Sequence, residues 1–145
     1  MQRSRLLSAG VGDCALDRAD RSTDPQWLSY FDEAYLSAKF GHCFLALGRN
    51  THAERFAARS LRMDNRYVRG RVFNLALLAS VHAHQGEPDR ACAIGAEALT
   101  LTTQLRSARA VRYLRDLQTQ LAPHRRLPAV RHFTRRIDAT LGPRR

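Results

Sequence analysis

The stretch FGHCFLALGRNTHAERFAARS, residues 40–60, holds two apolar segments on either side of a glycine and a short polar turn. Phe40, Phe44 and Leu47 are spaced so that they share one face of an α-helix. Gly48 can adopt a positive φ angle and therefore suits the end of that helix. A second helix follows at about residues 51–63. The stretch thus predicts two helices joined by a tight turn.

The same arrangement recurs 38 residues later in the chain, with Gly86 in the place of Gly48. A helix from about Tyr67 ends at Gly86, and Pro88 suits the first position of the next helix. Aligning the two glycines brings residues of similar size together: Phe40 with Leu78, Gly41 with Ala79, Phe44 with His82, Ala53 with Ala91, Ala57 with Gly95, Ser60 with Ala98 and Leu61 with Leu99. A helix pair that repeats at a fixed offset indicates a helical solenoid.

The flanking sequence extends this pattern in both directions. Residues 107–121 and 128–141 read as a third pair, and the first helix of the array begins near Pro25, with Thr23 or Asp24 as its cap. A helix at about residues 5–19 is expected to be the second half of a partial repeat. The prediction is an all-α, antiparallel helix-pair solenoid of about seven helices. It divides into a partial repeat (1–22), the helical repeats (23–121) and a basic C-terminal helix and tail (122–145).

The overall composition is that of a compact protein. The chain has 145 residues, 44% of them hydrophobic, and no apolar run approaches the roughly 18–20 residues of a membrane span. Its three cysteines, Cys14, Cys43 and Cys92, are widely spaced and read as free thiols in a reducing compartment. We therefore expect a cytoplasmic protein that makes no contact with membranes.

The charge of the chain is concentrated near its C-terminal end. The net charge is +11, and almost every cation is an arginine, since Lys39 is the only lysine. Residues 104–145 contain eleven arginines against two aspartates, a net charge of +9, whereas residues 1–103 carry only +2. The basic character therefore belongs to the C-terminal segment.

Within each repeat the order of residues resembles that of the tetratricopeptide repeat. In the first repeat a large apolar residue and a small one, Phe40-Gly41, precede Phe44 and the turn residue Gly48, and small residues follow in the second helix. Three longer stretches, STDPQWLSYFDEAYLSAKFGHCFLALGR, RYVRGRVFNLALLASVHAHQGEPDRAC and LRSARAVRYLRDL, resemble the C-terminal repeat region of actinobacterial helix-turn-helix transcriptional regulators. The chain is expected to be that repeat region alone, without the DNA-binding domain.

The resemblance implies a concave groove lined by the first helix of each repeat. The implied lining residues are Tyr35, Ala38, His42, Leu45, Phe73, Ala76 and Ser80. These side chains are mostly small or apolar, so the groove would favour an amphipathic helix or an apolar peptide. The alternative is that the groove is present but has no partner.

The C-terminal arginines form a second candidate surface. Its residues are Arg106, Arg109, Arg112, Arg115, Arg125 and Arg126. Arginines in such number can neutralise phosphates or pair with an acidic partner. A solvated face without a partner is the simpler interpretation of the same residues, because a GC-rich genome also raises arginine content.

No motif in the sequence predicts catalysis, a metal site or a cofactor. His42 and Cys43 are adjacent and point about 100° apart on a helix, and His82 and His84 lack the i, i+4 spacing of helical zinc ligands. The sequence has no phosphate-binding loop and no nucleophile elbow. A helix-turn-helix within residues 54–72 explains its residues less well than the repeat does.

The sequence therefore predicts a non-catalytic module that binds a protein or peptide partner in a concave groove. The alternative is a basic, nucleic-acid-associated protein that acts through its C-terminal arginines. The partial N-terminal repeat would leave an apolar edge, so self-association through it is also expected.

Overall fold

The computed structural model describes the backbone of residues 26–142 and the side chains of residues 33–142. Across this range the chain is helical and contains no β-strand, which confirms the all-α prediction. The helices are α1 (Gln26–Ala46), α2 (Asn50–Ser60), α3 (Val68–His84), α4 (Pro88–Thr102), α5 (Ala108–Gln120) and α6 (Pro128–Leu141), with a short 3-10 helix at Ala122–His124.

Residues 26–142 thus contain six α-helices, and the expected number of about seven is corrected accordingly. The prediction counted a helix at residues 5–19, which lie outside the described residues. The partial repeat at 1–22, Cys14 and the expected cap at Thr23 or Asp24 also lie there. None of the helices in residues 26–142 is long and apolar enough to cross a membrane.

The chain divides into two compact units, the first ending at Asn65 and the second beginning at Arg66. In the first unit, α1 packs against α2. The second unit contains α3 to α6, so the C-terminal helix that the sequence set apart at 122–145 belongs to the same compact unit as the second repeat.

The turn after α1 and the turn after α3 have the same backbone geometry, 38 residues apart. Gly48 has φ +74° and Gly86 has φ +75°. In the first turn the amide of Arg49 donates to the carbonyl of Phe44 at 2.9 Å, and in the second Glu87 donates to His82 at 2.9 Å. These bonds satisfy carbonyls that a helix end leaves open. Glycine is present at both turns because other residues rarely adopt a positive φ.

The small residues that the repeat aligned are buried in both helix pairs. Gly41 and its counterpart Ala79 are buried, and so are the paired positions of the second helices: Ala53, Ala57 and Ser60 in α2, and Ala91, Gly95 and Ala98 in α4. Small side chains at these positions allow the two helices of a pair to approach closely. Positions that are equivalent in the two aligned helix pairs are therefore buried in both pairs.

The larger residues of α1 are less buried than the sequence pattern suggested. Phe40 and Phe44, which share the predicted apolar face, are both half-buried, and so is the smaller Cys43. Phe44 stacks on Phe56 at 5.4 Å between ring centroids, and Phe40 lies 5.3 Å from the same ring. The aromatic rings thus bridge α1 and α2 along the edge of their contact, whose centre is formed by small residues.

In the second unit α3 packs against α4 and α5, and α4 also packs against α6. Gly95 of α4 lies where α5 and α6 approach it. A Cβ atom added there would lie 2.7 Å from Phe133 and 2.8 Å from Leu117. The apolar core of this unit consists of Val72, Leu75, Ala76, Leu77, Ala79, Val81, Ala91, Cys92, Ala98, Leu99, Ala110, Leu114, Leu117, Leu121, Val130, Phe133 and Ile137.

One polar cluster ties α5 to the end of α6. Arg115 donates from Nη1 to Asp138 Oδ1 at 2.9 Å and to Gln118 Oε1 at 3.1 Å, and from Nη2 to the carbonyl of Gly142. Its side chain is only 17% exposed. The guanidinium therefore joins a carboxylate on α6 to the carbonyl of the residue that follows the helix.

Candidate functional site

The candidate site lies on α3 and α5, and its position depends on how α5 begins. Ser107 caps α5 through its Oγ, which accepts a hydrogen bond from the amide of Ala110 at 3.2 Å. A cap of this kind fixes the first turn of a helix. Arg109 lies in that turn, and Arg112 and Tyr113 follow one turn later on the same side.

Two aromatic rings from different helices meet at this surface. Phe73 of α3 and Tyr113 of α5 lie 5.4 Å apart between ring centroids, at an interplanar angle of 88°. This edge-to-face arrangement is the one that aromatic quadrupoles prefer. Both side chains are half-buried, so the pair contributes to the α3–α5 contact and also to the surface.

Two exposed arginines surround the aromatic pair. The guanidinium carbon of Arg109 lies 4.8 Å from the Phe73 ring centroid and 5.4 Å from that of Tyr113. Arg109 also donates to Tyr113 Oη, from Nε at 3.1 Å and from Nη2 at 2.9 Å. The guanidinium carbon of Arg112 lies 5.8 Å from the Tyr113 ring centroid. We call Phe73, Arg109, Arg112 and Tyr113 the aromatic–arginine cluster.

The electrostatics of the cluster favour an anion. Within residues 33–142 no carboxylate oxygen lies within 4.0 Å of the guanidinium nitrogens of Arg109 or Arg112. The first turn of α5 contains no acidic residue, although the positive end of a helix dipole favours one there. Arg109 therefore adds positive charge to a helix end that already attracts negative charge.

The predicted groove residues divide between the two units. In the second unit Phe73 belongs to the cluster, Ser80 is half-buried, and Ala76 is buried with 3% of its surface exposed. Phe73 is thus the groove residue that contacts one of the predicted arginines, Arg109. The second-unit surface is consequently more basic than the apolar lining that the sequence implied.

In the first unit the predicted groove residues all lie on α1. Tyr35 is 47% exposed, and the Nζ atom of Lys39 lies 5.2 Å from its ring centroid. His42 is also exposed, whereas Ala38 and Leu45 are half-buried. The exposed aromatic ring of Tyr35 with a cation over it resembles, in a simpler form, the arrangement around Phe73.

The predicted arginine face is not uniform. Arg106, Arg125 and Arg126 are exposed, as are Arg109 and Arg112 of the cluster. Arg125 and Arg126 lie in the turn before α6, where they line a shallow pocket with Pro123, His124 and Leu127. Arg115 differs from these residues, because its donors are used within the fold by the contacts to α6.

Tyr113 is not among the site residues that the sequence predicted. The structure places its ring at the edge of the apolar face of α5, where it contacts two arginines. The sequence contained one indication of this, because Arg109 and Tyr113 are spaced i, i+4 and therefore meet on a helix surface.

The histidines occupy separate environments. His82 is buried, and its Nδ1 atom lies 3.1 Å from Gln85 Oε1 and 3.6 Å from Glu87 Oε2. His42 lies on α1 in the first unit. Among the side chains of residues 33–142 no group of three or more His, Cys, Asp or Glu is arranged so that it could hold a metal ion.

Comparisons of the chain with protein-family models, with curated proteins and with solved structures found no match.

Proposed function

We propose that this chain is a non-catalytic interaction module that binds a peptide or protein partner on the first helices of its helix pairs. The observation that carries the proposal is the aromatic–arginine cluster. It combines partly exposed aromatic rings with arginines, which are the residue types enriched at the energetic centres of protein interfaces.

The arrangement of the helices supports a tetratricopeptide-like array as the scaffold. Stacked helix pairs place first helices beside first helices and second helices beside second helices. The contacts of α3 with α5 and of α4 with α6 fit that arrangement, as do the matching turns at Gly48 and Gly86. In tetratricopeptide-like arrays the first helices line the concave side, and the resemblance to the repeat region of bacterial transcriptional regulators implies a partner groove there.

Selection from a random peptide display library tests the proposal. Peptides selected on the full chain should bind Phe73→Ala at least about tenfold more weakly than the parent, since truncating an aromatic at the energetic centre of an interface costs about 2 kcal/mol or more. Leu127→Ala is the matched control, because Leu127 is a large apolar residue that is 38% exposed outside the cluster. Tyr35→Ala tests the first-unit residues in the same assay. Selected peptides that depend on neither Phe73 nor Tyr35 would overturn the proposal.

A second candidate function is nucleic-acid binding through the exposed arginines. Arg106, Arg125 and Arg126 support it, because none of them has a carboxylate within ion-pair distance among the side chains of residues 33–142. Phosphate contacts are strongest at low salt. A mobility-shift series with unrelated DNA should therefore show binding at about 50 mM salt that weakens steeply as salt rises. The absence of a shift at about 50 mM would exclude this function.

A further inference from the structure

We infer that the partner segment recognised by the aromatic–arginine cluster is acidic. Its Asp or Glu carboxylates would pair with Arg109 and Arg112, and an apolar side chain would pack beside the part of the half-buried Phe73 and Tyr113 side chains that the arginines leave accessible. This inference rests on the proposed function and names the chemical class of the partner.

The donors of Arg109 are directed so that they can meet a carboxylate. A guanidinium that lies over a ring uses its face, and its N–H groups remain in its own plane. Nε and Nη2 donate to Tyr113 Oη, whereas Nη1 has no acceptor among residues 33–142. A charged N–H group at an exposed position is best matched by an anionic acceptor, and the resulting hydrogen bond is stronger than a neutral one.

The cluster holds Arg109 in place before any partner binds. The contact with Phe73 and the two hydrogen bonds to Tyr113 restrict a side chain that otherwise has many rotamers. A restricted arginine loses less conformational entropy when it pairs with a carboxylate. This restriction distinguishes Arg109 from Arg131 and Arg135 of α6, whose exposed side chains make no hydrogen bond, ion pair or ring contact among residues 33–142.

No carboxylate of residues 33–142 forms an ion pair with Arg109 or Arg112. Residues 104–145 contain only two acidic residues. Asp138 is engaged by Arg115 at 2.9 Å. Asp116 is one helical turn after Arg112 but does not approach it within ion-pair distance. An acidic segment from a partner would supply the missing charge.

The same geometry favours an acidic peptide over a nucleic acid at this position. Single-stranded nucleic acids are held by bases that stack on open aromatic faces. Here arginines lie over the rings of both Phe73 and Tyr113. Arg109 and Arg112 are also only about 4.5 Å apart along the helix axis, whereas duplex binding spreads over about 6–10 phosphate contacts.

Fluorescence anisotropy with the full chain tests the inference. The probes are a labelled peptide of about 12 residues with several Glu and one Phe, and the same peptide with Gln for each Glu. The Glu peptide should bind at least about tenfold more tightly, and R109Q/R112Q should remove at least about tenfold of its affinity. The matched control is R131Q/R135Q, which removes the same charge from α6 and should change the affinity less than about threefold.

Three results would overturn the inference: equal affinity for the Glu and Gln peptides, equal loss in the two double variants, or displacement of the Glu peptide by an equal concentration of a DNA oligonucleotide. The selection from the peptide display library distinguishes a failure of this inference from a failure of the proposed function. Selected peptides that need Phe73 but carry no excess of acidic residues would overturn the inference and leave the proposed function standing. If no selected peptide needs Phe73 or Tyr35, both are overturned.

Discussion

Glycines serve two different purposes in this chain, and the difference follows from their surroundings. At Gly48 and Gly86 a Cβ atom would meet nothing within 4 Å, so glycine is required there only by the positive φ angle. At Gly95 the conformation is that of an ordinary helix, and glycine is required by the side chains of Phe133 and Leu117. Glycine therefore ends α1 and α3 in two turns, and in α4 it allows α5 and α6 to pack closely against the helix.

Replacing Gly95 with leucine should destabilise the protein severely. The new side chain would occupy the space of Phe133 and Leu117, and overpacking of this kind costs about 1–3 kcal/mol or more. Ala93→Leu is the matched control, because Ala93 is exposed on the same helix and should change the free energy of unfolding by less than about 0.5 kcal/mol. Urea unfolding followed by circular dichroism measures both. Equal stabilities of the two variants would contradict the contact at Gly95.

The thiol of Cys92 should make stability depend on pH in alkaline solution. Burial, and to a smaller extent the nearby Asp89 carboxylate, raises the pKa of this thiol from 9.0 to about 11. Between these pH values the unfolded chain has lost the proton and the folded chain retains it, so stability falls as pH rises. The loss should be on the order of 1–3 kcal/mol across that window. In parallel urea titrations, Cys92→Ala should lose less stability than the parent between pH 9 and 11; identical pH slopes would contradict the assignment.

Among the helices, α5 carries residues of the candidate site and also Arg115, whose hydrogen bonds connect α5 to α6. One of its sides presents Arg109, Arg112 and Tyr113, while Arg115 reaches toward α6. The sequence predicted Arg109, Arg112 and Arg115 as members of one basic surface, because residues three apart lie close together on a helix. The position of α6 is a tertiary contact, so helical spacing alone could not distinguish Arg115 from the other two.

Removing the Arg115 side chain should loosen α6. The residue makes hydrogen bonds to Asp138, Gln118 and Gly142, so Arg115→Ala should lower the free energy of unfolding by about 1–3 kcal/mol. Arg112→Ala, one turn earlier on α5 and exposed, should cost less than about 1 kcal/mol. A double-mutant cycle with Asp138→Asn isolates the ion pair, which should show a coupling of about 0.5–2 kcal/mol. A coupling of zero would mean that the pair contributes nothing to stability.

Much of the fold could be predicted from the sequence because local signals were strong at the helix ends. Gly48, Gly86 and Pro88 mark boundaries that the structure reproduces within a few residues. The burial of the small residues was also predictable from their alignment in the repeat. The cluster was less predictable, because Phe73 and Arg109 are 36 residues apart and meet only through the packing of α3 on α5.

For the chain as a whole, the division into two units has a consequence for proteolysis. Residues 61–67 between the units are not helical, and Arg62 and Arg66 in this segment are exposed. Limited trypsin digestion should therefore cleave here before it cleaves within the helices. The fragment from residue 67 onward should keep a helical circular dichroism spectrum, because it contains the core around Leu99, Leu117 and Phe133. A fragment without helical signal would show that the second unit requires the first.

The almost exclusive use of arginine also determines which chemical modifications can reach the second unit. Acetylation acts on lysine, and Lys39 on α1 is the only lysine in the chain. Because arginine keeps its proton under all physiological conditions, the charge around Phe73 and Tyr113 is permanent and lies beyond the reach of enzymes that acylate amines. The same property is useful at the bench. Amine-reactive dyes and immobilisation surfaces will couple only to Lys39 or the N-terminus and will leave the aromatic–arginine cluster chemically intact.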